Sequence, residues 1–168
     1  MTELEFDQVD SAIGSLTLVS RRGALCALDF ADCAERMRSR LEARFGSLRL
    51  CVADDAGGHS SRLRSYLAGE LDALSGICVE TGGTDFQQQV WSALRQVGCG
   101  ETRSYAEIAN AIGRPGAARA VGSANAHNPI AVVIPCHRIV ASDRSLCGYA
   151  GGIDRKRWLL EHEGAALR

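Results

Sequence analysis

Residues 102–128, TRSYAEIANAIGRPGAARAVGSANAHN, contain two short helical patterns joined by a glycine-bearing turn. Ser104 followed three residues later by Glu107 is a capping box, which predicts the start of the first helix. Gly113 predicts the end of that helix, and Pro115 suits an early position in the next one. Two short helices around such a turn predict a helix-turn-helix.

The second of these helices consists almost entirely of small residues, and Arg119 is its one long side chain. One interpretation is close packing within the protein, which small residues allow. The other is close approach to the backbone of another molecule, such as DNA, with one arginine projecting. The composition alone leaves both interpretations open.

Two further helices are predicted on either side of this stretch. DFQQQVWSALRQVG, residues 85–98, has apolar residues on one helical face and ends at Gly98. DRKRWLLEHEG, residues 154–164, is predicted to begin with Asp154 as its N-cap and to end at Gly164. The paired glycines of TGGTD mark a domain boundary before the first of these helices.

The N-terminal part of the chain has a mixed α/β pattern. The segments LTLVS and ALCALDF flank RRG and predict a β-hairpin, and the segments around LRLCVA and ICVE predict short strands. Helices are predicted for residues 33–46, ended by Gly46, and for residues 60–71. The predicted fold is α+β: an N-terminal α/β scaffold domain (1–80) with a short antiparallel sheet, then a mainly helical domain (81–168).

Charge and hydropathy restrict the class of protein. The 168 residues contain 19 basic and 20 acidic side chains, and the net charge of −1 argues against a protein that binds DNA through its overall charge. A local basic face still binds phosphate, and several arginines fall in the last third of the chain. No apolar run approaches the ~20 residues that span a bilayer, and the acidic N-terminus does not resemble a signal peptide. The expected location is therefore the cytoplasm.

The cysteines do not follow a ligand or disulfide pattern. There are seven, an odd number, and no two have CxxC spacing. This argues against a disulfide framework and against a zinc finger. Most are expected to be buried apolar side chains in a reducing compartment, and no metal site is predicted.

The segment IPCHRIV, residues 134–140, places a thiol beside an imidazole. Cys136 is either a catalytic nucleophile activated by His137, part of a metal site, or an inert core cysteine. A base needs a third group that holds its tautomer, and Glu161 and Glu163 in the last turn of the C-terminal helix are both candidates. On these residues alone, a thiol hydrolase, a redox cysteine and an inert cysteine stay open.

Taken together, residues 85–164 closely resemble the O6-alkylguanine-DNA alkyltransferase family. The resemblance rests on IPCHR and AARAVGSANAHNP as a pair, with FQQQVWSAL, RSYAEIA and GYAGGIDRKRWLLEHEG around them. The N-terminal half resembles the family only weakly, through SAIGSLTLVS and SYLAGEL. The family implies a variable α/β domain followed by a DNA-binding domain with its recognition helix in the minor groove.

The resemblance implies roles for individual residues. Cys136 corresponds to the nucleophile, His137 to the base that acts through a water, and Glu163 to the carboxylate that orients it. Tyr105 is implied to assist proton transfer to the leaving guanine, and Asn128 to brace the active-site turn. The implied DNA-contacting residues are Ala118, Arg119, Gly122, Ser123 and Ala126, with Arg119 entering the duplex. The implied substrate pocket comprises Tyr105, Pro135, Ile139, Tyr149, Ala150 and Gly151.

The implied activity is stoichiometric repair of double-stranded DNA. The alkyl group of O6-alkylguanine, with O4-alkylthymine as a second candidate, passes irreversibly to Cys136 after nucleotide flipping, and no cofactor is needed. The expected state is a monomer associated with the nucleoid when bound to DNA, with clustering on DNA as an alternative. The alternative functions are a helix-turn-helix regulator, a thiol hydrolase, and a non-enzymatic damage binder, although such binders lack the cysteine of PCHR.

Overall fold

A computed structural model describes residues 1–167. The chain divides into two compact units. The first contains residues 1–82 together with 129–133, and the second contains residues 83–128 and the chain from residue 134 onward. Residues 129–133 are thus a five-residue segment of the first unit, and the residues on either side of it, Asn128 and Ile134, belong to the second unit.

The first unit is built on a four-stranded sheet in the order β3-β2-β1-β4. Its strands and helices are β1 (Thr2–Val9), β2 (Leu16–Arg21), β3 (Ala24–Phe30), α1 (Ala34–Phe45), β4 (Leu48–Val52) and α2 (His59–Leu67). The predicted hairpin is confirmed as β2 and β3, which pair in antiparallel fashion. The sheet is mixed rather than antiparallel, because β4 pairs with β1 in parallel.

The core of this unit lies between the sheet and α1. Leu4, Val19 and Cys26 from three strands pack against Met37 and Leu41, which lie one helical turn apart. Gly46 ends α1 as predicted, with a φ of 74°. The burial of these apolar side chains, at roughly 25 cal/mol per Å², is the main force that holds the helix on the sheet.

One strand of this unit was missed, and two predictions were wrong in detail. No prediction covered Thr2–Val9, which form β1 inside the sheet between β2 and β4. The helix predicted for residues 60–71 ends at Leu67, because Gly69 adopts a φ of 113° that no helix tolerates. The strand predicted at ICVE forms a single bridge, between Val79 and Leu25.

The second unit consists mainly of short helices. Its elements are α3 (Asp85–Arg95), β5 (Arg103–Ser104), α4 (Tyr105–Ala111), α5 (Ala118–Ala126), β6 (Ile139–Val140) and α6 (Ile153–His162). Trp91 on α3 is buried and donates its indole hydrogen to the Ala124 carbonyl of α5 at 2.9 Å. Val121 and Ala124 of α5 face this contact and are buried, so the opposite face of α5 remains exposed.

Helix ends in this unit partly match the predictions. The capping box at Ser104 and Glu107 is confirmed, and a second one was missed at Thr84 and Gln87. Pro115 is not in a helix: the turn extends through Gly116, whose φ of 89° delays the start of α5.

The C-terminal helix also begins earlier than predicted. Gly152, rather than Asp154, is the N-cap of α6, so Asp154 lies in its first turn. Within residues 1–167, no helix has the length and apolar character that a membrane span requires.

Candidate active site

Cys136 lies in a single turn of 3-10 helix, Cys136–Arg138, that follows Pro135. The turn takes the place of a continuing strand, because proline lacks the N–H that a sheet requires. Its backbone is held by two buried amides: Asn128 Nδ2 donates to the Ile134 carbonyl at 2.7 Å, and Asn125 Nδ2 donates to the Cys136 carbonyl at 3.4 Å. Asn128 thereby braces the point at which the chain re-enters the second unit.

His137 and Glu163 form a fully buried pair. The Nε2 atom of His137 lies 2.8 Å from Oε1 of Glu163, and both side chains have a solvent exposure of 0%. Glu163 is the C-cap of α6, immediately after the last helical residue. The geometry therefore selects Glu163 over Glu161, which the spacing alone did not do.

The electrostatics of the pair keep the carboxylate charged and the imidazole neutral. Burial alone raises the pKa of Glu163, but the hydrogen bonds that it accepts from His137 and Arg138, together with the positive charge of Arg138, outweigh it and hold that pKa well below its usual range. Burial lowers the pKa of His137, and the Glu163 carboxylate opposes this without reversing it. Since an ionised carboxylate only accepts hydrogen bonds, Nε2 carries the imidazole proton.

The second ring nitrogen of His137 is chemically available. Nδ1 is buried and has no hydrogen-bond partner among residues 1–167. With the proton on Nε2, Nδ1 carries a lone pair and is the basic atom of the ring. A buried acceptor without a partner is costly, which is typical of a functional site.

Arg138, which the sequence analysis treated only as one of several basic residues, completes the cluster. Its Nε donates to Glu163 Oε2 at 3.0 Å and its Nη2 donates to Oε1 at 2.8 Å. The side chain is 10% exposed, so this ion pair is largely shielded from water. An arginine directly after the histidine is the only signal that the sequence offered for it.

Tyr105 reaches the same region because β5 pairs with β6. Ser104 pairs with Val140, which places the start of α4 beside the segment that follows Cys136. The Tyr105 hydroxyl lies 3.8 Å from the sulfur of Cys147. Burial, helped by the contact with Cys147, raises the pKa of Tyr105, so its phenol stays protonated at neutral pH.

A cavity of about 160 Å³ opens next to Cys136. This is below the ~300–1,000 Å³ of pockets for drug-sized ligands, and it suits a single planar base. Its lining comprises Tyr105, Gly122, Asn125, Ala126, Cys136, Gly148, Tyr149 and Ala150.

The predicted pocket residues divide into two groups. Tyr105, Tyr149 and Ala150 line the cavity, whereas Pro135, Ile139 and Gly151 do not. Pro135 and Ile139 are buried on either side of the turn, so their side chains contribute to the core.

The exposed face of α5 adjoins this cavity. Arg119 is exposed and forms no ion pair with another described residue, while Gly122 and Ala126 contribute both to the exposed face and to the cavity. Ala118 and Ser123 lie on the accessible side of the same helix. The predicted DNA-contacting residues therefore share one surface.

The loop between β6 and α6 is tied down by the chain's single lysine, which sequence analysis did not assign to the site. Lys156 is fully buried, and its ammonium donates to the carbonyls of Ile139, Cys147 and, at 3.1 Å, Gly148. Arg144 adds a bidentate contact to Glu107 at 2.9 and 3.0 Å, which lowers the pKa of Glu107 to about 2. Both contacts hold the loop that supplies Gly148, Tyr149 and Ala150.

Residues 1–167 contain no group of three or more His, Cys, Asp or Glu side chains that is arranged to hold a metal ion. The site consists of a thiol, a neutral imidazole, an ionised carboxylate and a protonated phenol around a small cavity. A set of this kind is chemically able to activate a thiol for attack on a group bound in such a cavity.

Comparison with known proteins places these features in context. A family model described as the DNA binding domain of 6-O-methylguanine DNA methyltransferase matches residues 85–165. The methylated-DNA–protein-cysteine methyltransferase of Shigella flexneri is 41% identical, covering 99% of each chain. The enzyme of that name from Mycobacterium bovis is 47% identical over 95% of this chain and 92% of its own.

Solved structures show the same fold. The crystal structure of Mycobacterium tuberculosis OGT in complex with DNA superposes with a TM-score of 0.81 and 44% identity, covering 96% of this chain and 92% of that one. The mixed α/β architecture described above, with its four-stranded sheet and six α-helices within residues 1–167, is similar to that structure.

Proposed function

Because the chain belongs to the 6-O-methylguanine DNA methyltransferase family, we propose that it repairs DNA by moving an alkyl group from O6 of guanine onto the sulfur of Cys136. One observation carries this assignment to Cys136: the thiol lines a cavity of the size of one base and directly precedes the buried His137–Glu163 pair. Residues that only fill a core do not need this arrangement.

Glu163 and His137 act as a relay. The ionised carboxylate accepts a hydrogen bond from Nε2–H and thereby keeps the lone pair on Nδ1, which takes the Cys136 proton through a bridging water. A free thiol has a pKa of about 8.5, so a base is needed to supply thiolate at neutral pH. The positive charge that His137 gains is then stabilised by Glu163, which otherwise lies unfavourably at the negative end of the α6 dipole.

The transfer is a displacement at the alkyl carbon. The thiolate forms a carbon–sulfur bond while the carbon–O6 bond breaks, and its electron pair leaves with guanine. Tyr105, whose phenol is protonated, assists by donating a proton to the leaving base. Ala150 and Gly148 line the same cavity, where their backbone is available to a bound base.

The product is a thioether, which water does not hydrolyse at a useful rate. Cys136 is therefore consumed, and each protein molecule reacts once without a cofactor. The expected substrate is O6-alkylguanine, with O4-alkylthymine as a second candidate, because both present an alkylated oxygen on a flipped base.

We further propose that α4 and α5 form a DNA-binding helix-turn-helix whose second helix lies in the minor groove. The small residues of α5 permit a close approach, and Arg119 occupies the stack after the target nucleotide leaves it. Flipping costs a few kcal/mol, which a side-chain wedge partly offsets. Degenerate minor-groove readout suits a protein that acts on any sequence.

The remaining assignments follow from the same family. We propose that residues 81–168 form the alkyltransferase and DNA-binding domain and residues 1–80 a scaffold domain. The protein acts as a monomer, with clustering on DNA as the alternative, and it works in the cytoplasm at the nucleoid. A helix-turn-helix regulator does not require the buried Cys136–His137–Glu163 set, and a thiol hydrolase would turn over.

Mass spectrometry after incubation with a duplex that carries one O6-methylguanine tests this proposal. We expect one added methyl group on the peptide that contains Cys136, saturating at one per protein, and no transfer to a Cys136→Ala variant. Cys78→Ala, which removes an exposed cysteine of the first unit, is the matched control and should react as the wild type does. Restored guanine with the Cys136→Ala variant would contradict the mechanism, and multiple turnovers would favour a hydrolase.

A further inference from the structure

The Glu163 carboxylate accepts hydrogen bonds from both His137 and Arg138. Oε1 accepts hydrogen bonds from His137 Nε2 and from Arg138 Nη2, both at 2.8 Å, and Oε2 accepts from Arg138 Nε at 3.0 Å. Two parallel bonds from one guanidinium fix the plane of a carboxylate as well as its position. Arg138 therefore fixes the position of Oε1, the Glu163 oxygen that contacts His137.

Arg138 is itself fixed at its far end. Nη1 donates to the Val97 carbonyl just after α3, and Nη2 also lies 3.0 Å from the sulfur of Cys99. The guanidinium thus connects the end of α3 with the end of α6, and it lies in the turn that carries Cys136 and His137. An arginine used only for solubility would not be buried with its donors directed inward.

A buried carboxylate at this location needs a full positive charge. Glu163 caps the C-terminus of α6, where the helix dipole disfavours an anion, and its side chain is shielded from water. Without Arg138, Glu163 would lose the guanidinium that donates to both of its oxygens, and protonation of the imidazole would become more favourable. Protonated His137 has no lone pair on Nδ1 and cannot act as a base.

We propose that Arg138 is a positioning residue for alkyl transfer. Before reaction, its guanidinium balances the charge of Glu163 and fixes the plane of the carboxylate. His137 therefore remains neutral, and its Nδ1 is available to act as the base. This inference rests on the Cys136–His137–Glu163 relay proposed above. It adds that the two residues act at different times: Arg138 balances the charge of Glu163 before reaction, and His137 does so only after it has taken the Cys136 proton.

Single-turnover rates of methyl transfer from duplex O6-methylguanine, measured between about pH 5.5 and 9, test this inference. Arg138→Met keeps a side chain of similar length without charge. We expect transfer at neutral pH to slow on the order of 10- to 100-fold, the range for losing hydrogen bonds to a charged group. We also expect the acid limb of the profile to move to higher pH, with partial recovery of the rate in alkaline solution.

The shift in the profile separates positioning from a structural role. In a Glu163→Gln background, Arg138→Met should cause a clearly smaller shift, because no carboxylate remains to favour protonated His137 and only the direct repulsion between Arg138 and His137 is lost. Arg38→Met is the matched control, since Arg38 pairs with Glu42 on an exposed face of α1 in the first unit. That variant should match the wild type in both rate and profile.

Two outcomes overturn the inference: an unshifted acid limb in Arg138→Met, or the same shift with and without Glu163. Arg138→Lys decides the case if Arg138→Met does not fold, because lysine keeps the charge but loses the planar fork. We expect it to fold and to transfer more slowly, and a wild-type rate would overturn the inference. A His137→Ala variant in the same assay separates the two proposals, since its unchanged rate would instead refute the relay.

Discussion

The buried imidazole of His137 makes the folded state sensitive to mild acid. Burial lowers its pKa in the folded protein, so the unfolded chain binds a proton at about pH 6.5 before the folded chain does. Whenever the unfolded state binds more protons, stability falls as pH falls. Glu163 contributes in the same direction at lower pH, because its lowered pKa favours folding above about pH 4.3 and this contribution disappears in stronger acid.

We therefore predict that His137→Asn reduces the loss of stability between about pH 6.5 and 5. The measurement is the free energy of unfolding from urea titrations at several pH values. His127→Asn, which replaces an exposed histidine outside the buried pair, is the matched control. Parallel curves for the wild type and His137→Asn would show that His137 is not the group responsible.

At the scale of residues, the sequence predicted the reactive side chains better than the side chains that hold them in place. Cys136 and His137 are adjacent in the chain, and a thiol beside an imidazole is visible in one line of sequence. The choice between Glu161 and Glu163 needed the resemblance or the structure, because both lie in one helical turn. Arg138 was missed since no spacing rule predicts which arginine is buried against a carboxylate.

At the scale of elements, the loop between β6 and α6 depends on one lysine. The ammonium of Lys156 donates to three backbone carbonyls, two of them in the loop at Cys147 and Gly148. Burial lowers the pKa of Lys156 and so disfavours its charged form. The three carbonyls oppose this effect, because each accepts a hydrogen bond from the ammonium. Removing the ammonium leaves those carbonyls without their donor, and the loop that lines the cavity should open more often.

We predict that Lys156→Met increases backbone hydrogen exchange in residues 145–150 on the order of tenfold and slows transfer to Cys136. Hydrogen exchange read by mass spectrometry, together with single-turnover transfer, gives both values. Arg157→Met on the exposed side of the same helix is the control and should change neither. Slower transfer without faster exchange would assign Lys156 a role other than holding the loop.

The elements themselves were predictable where the pattern was strong. Ser104 and Glu107 predicted the start of α4, because both halves of a capping box are encoded locally. By contrast, β1 was missed because Glu3, Glu5 and Asp7 are acidic residues, which are uncommon in strands, although Leu4 and Phe6 alternate with them. Its position is fixed by pairing with β2 and β4, which are distant in sequence.

At the scale of the whole molecule, the sequence could not predict how the chain returns to its first unit. Residues 129–133 leave the second unit between Asn128 and Ile134, and Val132 adopts a φ of 70° within them. A β-branched residue rarely adopts that conformation, so no local propensity predicts it. The hydrogen bond from the Asn128 amide to the Ile134 carbonyl joins the two ends of this segment, and Ile134 then leads into the turn that carries Cys136.

The net charge of −1 also has a consequence at this scale. A nearly neutral protein gains little from general attraction to DNA, so binding and flipping must depend on a few local groups. Arg119 is the long cationic side chain on the exposed face of α5, and the cavity beside Cys136 opens next to that face. Its proposed role, filling the stack vacated by the flipped nucleotide, matters only when the substrate is a duplex.

We predict that Arg119→Ala slows transfer from duplex O6-methylguanine roughly 10- to 100-fold, as expected if part of the flipping cost is no longer offset. Reaction with free O6-benzylguanine should change little, because that substrate needs no flipping. Single-turnover rates with both substrates give the comparison, and Arg38→Ala on the first unit is the control. Equal slowing with both substrates would place Arg119 in the chemistry of the cavity, whereas slowing that disappears at saturating duplex would assign it to binding rather than to flipping.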